Sequence, residues 1–512
     1  MMSLINRVLI FQAITIISFL IGCKTTDDNQ NSACSLTAPK LSNNPYYDIV
    51  ATNTRPLLSF FNSSGGSCQR TYTIQISKDS SFQDATILEY QKIPEQTQYI
   101  TSKLIEEKDA LEDNKRYYWR VRAEDEDGNI SPWEVSRFYL DTKSDDSFMN
   151  LIRVPVEKVE VSSGEDSKNI TDISDVGLQT YWSSSPPGDS VQWVKFDLGQ
   201  TQAISRIFML SNTSGTEGCL IDFILQRSQD GSNWSDIDNS GSTNNDTYRN
   251  IIDVEPVDAR FLRLLIKKWY GFSPQLNAII LYSPGSPAIP EPPDGDYVLI
   301  VGNQLNGYTF TELAEYIEGV GLNLKTLTVP HYEVSMGMIN NLSNKPVAIV
   351  LSGNNADYQN LPMFEYNGEY EIIRECEIPV LGICAGHQLS VMAYGYTYAR
   401  SMGWSDITAI ELEEQTTPDS IHIINNLPIF EGIPDPFVAV EIHGWSIAVA
   451  SEVLPLVDYE ILAMSSNVQA HKSKKKMLYG EQFHAEVMVP YNQGHPYLIN
   501  FLKMAIEKKK TN

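Results

Sequence analysis

The sequence predicts a multidomain protein in which two all-β sandwiches precede an α/β domain with a mostly parallel sheet. Three observations carry this. Short alternating apolar segments bounded by turn residues dominate residues 36–283, the pattern of half-buried antiparallel strands. A proline-rich stretch at 284–295, from Pro284-Gly285-Ser286-Pro287 to Pro290-Glu291-Pro292-Pro293-Asp294-Gly295, then breaks the pattern and reads as a semi-rigid linker. Beyond it the continuous apolar runs Tyr297–Val301 and Val347–Leu351 alternate with the helical pattern Thr311–Val320, as strands buried on both faces between helices require. A length of 512 residues exceeds one ordinary core, and 42% hydrophobic with 10% aromatic content suits folded modules. Against 64 Asp plus Glu stand 38 Lys plus Arg, a net charge of −26, which excludes nucleic acid as a partner.

The N-terminus has a short basic segment, Met1–Arg7, an apolar stretch, Val8–Gly22, too short to span a bilayer comfortably, and the ending Leu20-Ile21-Gly22-Cys23. This resembles a bacterial lipoprotein signal peptide. The resemblance implies that residues 1–22 are removed and that Cys23 carries several acyl chains of the palmitate type, a stable membrane anchor where one chain would not suffice. Residues 23–35 would be a polar tether. The implied location is extracytoplasmic, lipid-anchored to a bacterial membrane, and Lys24 rather than Asp after the cysteine fits the outer membrane or cell surface. Thiols outside the cytoplasm tend to pair. Cys34 and Cys68 share the first folded module and are expected to form a disulfide, whereas Cys219 and Cys376 read as buried and inert.

In the first module, residues 36–142, the run Tyr117-Tyr118-Trp119-Arg120-Val121-Arg122-Ala123 puts Tyr117, Trp119, Val121 and Ala123 on one face of a strand. With Asp127-Gly128 and Ser131-Pro132-Trp133 behind it, the module resembles a fibronectin type III domain with Tyr117 in the tyrosine-corner role. Its aromatics are expected in the core, and no catalytic pattern stands out. The second module, residues 145–283, shows Thr180-Tyr181-Trp182, Gln192-Trp193-Val194-Lys195-Phe196-Asp197-Leu198-Gly199, Gln226 to Trp234, and Ala259-Arg260-Phe261-Leu262-Arg263-Leu264 in order. These resemble a discoidin (F5/8 type C) jelly roll, which implies a glycan, lipid or protein ligand at the loops of one end. The usual Asp-Gly-Asn is here Asp175-Val176-Gly177, a departure that leaves a structural calcium site at this module open. Trp182, Trp193 and Trp234 read as packing residues.

In the last region, residues 296–512, the apolar run ending Gly382-Ile383-Cys384-Ala385-Gly386-His387-Gln388 is followed by a helix-compatible stretch, Leu389–Tyr394. Gly-x-Cys-x-Gly at a strand-to-helix turn is the cysteine form of the nucleophile elbow. Cys384 alone would read as a buried small hydrophobe. A hundred residues on, Gln482-Phe483-His484-Ala485-Glu486-Val487 offers a base and its orienting carboxylate. The two motifs together resemble class I glutamine amidotransferases, with the greatest overall likeness to the amidotransferase part of GMP synthase. The resemblance implies a Cys384, His484, Glu486 triad, an oxyanion hole at Gly353 and Ala385, and Gln388 beside the glutamine substrate. No cofactor and no metal are implied. Asn354 follows Gly353 where the family often has a second glycine, and Ala485 replaces a proline.

All seven histidines lie beyond the β-rich front, so imidazole chemistry belongs to the last domain. The chain shows neither a Gly-rich phosphate loop nor an adenylating domain. Ile442-His443-Gly444-Trp445-Ser446 departs from the GMP synthase pattern and resembles γ-glutamyl hydrolases, which implies His443 and Trp445 on the leaving-group side of the pocket. The expected activity is therefore a stand-alone glutaminase or γ-glutamyl hydrolase. Two alternatives stay open: a surface adhesion lipoprotein whose amidotransferase-like domain is idle, and an amidotransferase component that supplies ammonia to a partner. His387 reads as a packed or solvent-facing helix residue, and His471–Lys476 as a solvated basic loop.

Overall fold

The computed structural model describes residues 35–41, 49–51, 54–67, 69–83, 88–96, 100–113, 115–140, 151–164, 168–171, 181–185, 191–211, 217–245, 248–303, 308–354, 361–393, 399–400, 420–443, 445–447, 459–465 and 468–511. Residues 1–22, read above as a signal peptide, and Cys23, Cys34 and Cys68 lie outside these residues. Among the described residues Cys219, Cys376 and Cys384 are free and buried, and no helix is long and apolar enough to cross a membrane.

The first module is a β sandwich. A five-stranded sheet runs in the order Ile49–Ala51, Glu134–Leu140, Lys115–Asp125, Arg70–Ser77, Leu88–Pro94, and Leu57–Phe61 pairs antiparallel with Ile100–Leu104. Strand Lys115–Asp125 alternates in burial, so Tyr117, Trp119, Val121 and Ala123 enter the core with Tyr72, Ile74 and Phe138, as the period of two predicts. The Tyr117 hydroxyl accepts from the Glu112 amide at 2.8 Å and lies 3.2 Å from its carbonyl oxygen, the local clamp expected of a tyrosine corner. Trp133 is not a core residue: it lies half-buried under the guanidinium groups of Arg120 and Arg122 at 4.4 and 4.5 Å.

In the second module two long antiparallel strands, Gln192–Leu210 and Arg249–Trp269, form the spine. Register shifts between Asp197 and Gln202 and between Ile204 and Arg206 bend them, which lets a continuous sheet close over one core. That core holds Val194, Phe196, Ile204, Leu262, Leu264 and Trp182, the last donating through Nε1 to the Ser163 carbonyl oxygen at 3.0 Å. Of the three tryptophans read as packing residues, only Trp182 enters the core. Trp193 points outward from its strand and is half-buried, and Trp234 lies half-buried under the Arg263 guanidinium at 4.3 Å. Period-two alternation explains Trp193, since Gln192, Val194 and Phe196 occupy the inner face.

The C-terminal domain, with strands and helices numbered from its own first element, contains β1 (Tyr297–Gly302), α1 (Tyr308–Gly319), β2 (Lys325–Pro330), α2 (Met336–Asn341), β3 (Ala348–Leu351), α3 (Asn367–Glu375), β4 (Val380–Ile383), α4 (Ala385–Met392), β5 (His422–Ile423), β6 (Tyr459–Met464), β7 (Val468–Ser473), β8 (Leu478–Glu481) and α5 (His495–Thr511). The sheet order is β2-β1-β3-β4-β8-β7-β6-β5. The first five strands are parallel and the remaining pairings antiparallel. The apolar runs of β1, β3 and β4 are buried throughout, as strands covered on both faces must be.

The basic run at 471–476 is corrected by the structure. Its first half is strand β7, and His471 is fully buried, stacked on Tyr459 with ring centroids 4.6 Å apart and with Nε2 2.8 Å from Ser390 Oγ. Only the following lysines reach solvent. Burial pushes the His471 imidazole down to about 3, so it packs as a neutral ring. A Cβ at Gly480 would stand 2.3 Å from His471 and 2.7 Å from His387, so glycine there makes room for both imidazoles.

Candidate active site

Parallel strands deliver their functional side chains at their carboxyl ends. Ser352-Gly353-Asn354 follows β3, Cys384 joins β4 to α4, and His484 lies three residues beyond β8. Cys384 has φ 49° and ψ −96°, a left-handed backbone that a non-glycine residue adopts only under strain. The flanking glycines are required by close approach. A Cβ at Gly382 would lie 2.4 Å from the Gly386 backbone, and one at Gly386 would lie 2.5 Å from the Leu351 carbonyl oxygen. Helix α4 can therefore start directly against β3 and β4. The turn is fastened by Cys384 N–H donating to Glu481 O at 2.8 Å and Gly386 N–H to Ser352 O at 3.3 Å.

Cys384 is buried, 3% exposed. Gln482 Nε2 donates to its sulfur at 3.5 Å, and the thiol lies 3.8 Å from the Ile442 carbonyl oxygen. His484 borders both Cys384 and Gly353: a Cβ on Gly353 would be 3.2 Å from His484 Cε1 and 3.6 Å from Cys384 Cβ. Its Nδ1 is 2.8 Å from Glu486 Oε1, which leaves Nε2 for the Cys384 side of the ring. That assigns the Nδ1 proton to the carboxylate contact. Burial opposes charge on His484, but the Glu486 carboxylate and then the nearby Cys384 sulfur outweigh it and hold the imidazole well above its ordinary range. Asn492 fixes the turn by donating to the His484 and Val487 carbonyl oxygens at 2.8 and 2.9 Å.

The structure brings Cys384, His484, Glu486, Gly353 and Ala385 together, Ala385 being the first residue of α4. Gln388, one turn along that helix, is 3% exposed and commits its amide to the Trp445 carbonyl oxygen at 2.6 Å and Gln482 Oε1 at 3.1 Å. It therefore fixes the wall of the site. His443 and Trp445 belong to that wall. His443 Nδ1 is 3.0 Å from the Trp445 carbonyl oxygen and Nε2 is 3.1 Å from Glu441 Oε2. His387 is a packed residue, 3.2 Å from the Val468 carbonyl oxygen.

Two residues escaped the sequence reading. Gln482 touches the Cys384 sulfur, and its place one residue before the Phe483-His484 pair was the available signal. Glu481 is fully buried with neither carboxyl oxygen bonded. Burial first and the Glu486 charge second push its carboxyl well above the ordinary range, leaving a neutral acid behind His484 and Glu486. A carboxylate in an otherwise apolar strand, Leu478-Tyr479-Gly480-Glu481, marks it in the sequence.

A cysteine at a strained strand-to-helix turn, with a carboxylate-paired histidine beside it, is the arrangement of groups that acyl transfer by a thiol requires. Residues 307–505 match the family model described as glutamine amidotransferase class-I, residues 156–278 match F5/8 type C domain, and residues 45–140 match Rha78A-like, N-terminal immunoglobulin domain. Through its C-terminal domain the chain belongs to the class I glutamine amidotransferase family. It is 36% identical over 164 residues to a subunit of the glutamine-hydrolyzing GMP synthase from Methanothermobacter thermautotrophicus, covering 31% of this chain and 75% of that protein. It is 37% identical over 129 residues to the corresponding GMP synthase subunit from Methanococcus maripaludis, covering 25% of this chain and 60% of the relative's length. Among solved structures it is similar to a putative GMP synthase component from Thermoplasma acidophilum, at 20% identity and a TM-score of 0.33, covering 42% of this chain and 96% of that one. The first module, read from sequence as fibronectin type III-like, is thus similar to an immunoglobulin domain over residues 45–140.

Proposed function

We propose that the protein is a membrane-anchored, extracytoplasmic cysteine amidohydrolase that cleaves glutamine or γ-glutamyl amide bonds, with water as the acceptor. The observation that carries this is the His484–Glu486 pair, 2.8 Å apart, bordering a nucleophile held in a strained elbow. The Cys384 thiolate attacks the γ-carboxamide carbon, and the Gly353 and Ala385 N–H groups stabilise the oxyanion. His484 protonates the departing amine, then takes a proton from water as it attacks the thioester, releasing glutamate and restoring the thiol. Glu486 orients the imidazole and stabilises its charged form.

Hydrolysis is favoured over transfer by the 442–445 segment, whose Ile442 and Trp445 carbonyls lie against the sulfur and Gln388. This is the segment that resembles γ-glutamyl hydrolases. The similarity to GMP synthase subunits favours a second reading, an ammonia supplier for a synthetase partner. The mature chain should release ammonia from glutamine or glutamate from γ-glutamyl peptides, and Cys384→Ala should abolish both. Ammonia release from glutamine that appears only when a synthetase partner is present would favour the supplier. No turnover and no labelling by a glutamine-analogue electrophile would overturn the enzyme reading and leave the adhesion alternative.

The discoidin module serves surface or glycan targeting in this proposal. Tyr181, Tyr270 and Phe272 are 48%, 45% and 65% exposed in the chain segments that flank the paired strands Trp182–Ser183 and Gln275–Leu276, aromatic side chains of the kind that pack on sugar faces. A glycan and lipid array probed with the full chain tests this, and an empty array counts against it. For the anchor, Cys23→Ser should block lipidation and release the protein from the membrane fraction.

A further inference from the structure

The second module and the amidotransferase domain share a buried polar junction one residue away from a path to the oxyanion loop. Glu365 is fully buried in the short helix Met363–Tyr366 that leads into α3. From the second module, Arg153 donates to it through Nε at 2.6 Å and through Nη2, and the Tyr282 hydroxyl donates at 2.7 Å. From the amidotransferase domain, His331 Nε2 stands 3.3 Å away. Arg153 also lies over the Tyr332 ring at 3.8 Å, and Arg249 of the second module donates to the Leu361 carbonyl oxygen at 2.8 Å. A bidentate guanidinium fixes both distance and plane of a carboxylate.

Tyr366, the neighbour of Glu365, stacks on His331 with centroids 4.3 Å apart and planes 14° apart. Its hydroxyl accepts from Asn354 Nδ2 at 2.9 Å. Asn354 follows Gly353, and on the other side Ser352 is held by Asn303, whose N–H donates to Ser352 Oγ at 2.9 Å and whose Nδ2 donates to the Ser352 carbonyl oxygen at 2.8 Å. The Gly353 peptide is thus clamped at both ends, one clamp inside its own domain and one reaching through Tyr366 and Glu365 to the second module.

We propose that Arg153, on the discoidin-type module, is a positioning residue for the amidotransferase site, acting through Glu365, Tyr366 and Asn354 to fix the Gly353 peptide that faces the reacting carbonyl. This rests on the hydrolase reading above. It also accounts for Asn354 where relatives often carry glycine: the amide gives the loop a handle that Tyr366 can hold. Oxyanion donors act on the transition state more than on the bound substrate, so loosening the clamp should lower kcat and leave KM nearly untouched.

The test uses the full chain carrying Arg153→Met, Tyr366→Phe and the pair combined, with γ-glutamyl hydrolysis and hydrogen exchange of the peptide spanning residues 350–362 as readouts. Expected are a kcat loss of about tenfold with KM within about twofold in each single variant, a double variant no slower than the slower single, and faster exchange at 350–362 in both. If Arg153→Met does not fold, Arg153→Lys, which keeps the charge but not the fork, carries the same measurements. A kcat within about twofold of the parent in folded Arg153 variants, or unchanged exchange at 350–362, overturns the proposal. The exchange readout needs no turnover, so an inactive parent would sink the hydrolase reading while exchange at 350–362 in the variants still decides the coupling.

Discussion

Replacing Cys384 by alanine and by glycine separates the strain of the elbow from its chemistry. Both variants lack the thiol and are expected to be inactive, so their stabilities can be compared directly. At an ordinary buried position glycine is worse than alanine by ~0.4–1 kcal/mol from the unfolded chain and by ~0.8 kcal/mol for the lost methyl. At φ 49°, ψ −96° alanine retains a strain of ~1–3 kcal/mol that glycine does not feel. Midpoint values give Cys384→Gly a net advantage of ~0.5 kcal/mol over Cys384→Ala, where an unstrained backbone would give a deficit of ~1.5 kcal/mol. At ~2–4 °C per kcal/mol for a domain of this size, the alternatives differ by several degrees in melting temperature. Calorimetry of the two full-length variants reads the difference. A glycine variant melting ~3–6 °C below the alanine variant would refute stored strain at the nucleophile.

Three further outcomes follow from the same geometry. Glu486→Gln removes the main influence raising His484, so the imidazolium is lost at lower pH and the basic limb of the kcat/KM profile should move toward acid; an unmoved limb would count against the pairing. Glu365 is held down to about 2 from an ordinary 4.5, burial being outweighed by Arg153 and His331. Because the folded value is depressed, its contribution, at most ~3 kcal/mol, is present above about 4.5 and lost as pH falls toward 2. Denaturant midpoints between pH 7 and 2 should show this loss in the parent and not in Glu365→Gln, and parallel curves would refute it. Gly386→Ala forces a Cβ to 2.5 Å from the Leu351 carbonyl oxygen, an overpacking of ~1–3 kcal/mol or more, and should lower both melting temperature and activity; an unchanged melting temperature would count against the close approach.

The elbow was legible in the sequence because its glycines answer to local geometry: Gly382 and Gly386 sit where any side chain meets backbone, and spacing alone reveals that. The strand Tyr117–Ala123 was legible for the same reason, since alternation fixes which side chains share a face. Trp193 shows the limit. Its strand was read correctly, yet aromatic character suggested a core that the alternation of Val194 and Phe196 already occupied. His471 failed differently: flanking lysines hid a strand whose inward side chains are all that the interior sees. Arg153 and Glu365, 212 residues apart, leave no trace in periodicity, because contact between domains is set by the outer faces of finished folds.

The junction bears on how the modules are joined. Phe208, Leu210, Ile280 and Tyr282 of the second module belong to the same buried cluster as Phe364, Tyr366 and the strand residues Leu299 and Ile349. A linker such as residues 284–295 only keeps two domains near each other, whereas a shared core sets their orientation. Burying Glu365 is costly without its donors, and two of those donors, Arg153 and Tyr282, come from the other module. The charge buried at the junction is therefore satisfied from both sides of it, by Arg153 and Tyr282 from one module and by His331 from the other. The faces used are strand faces, while the exposed Tyr181, Tyr270 and Phe272 stand outside the strand cores that form the junction. Docking thus leaves the loop aromatics exposed, and a ligand held there would sit at a fixed distance from Cys384.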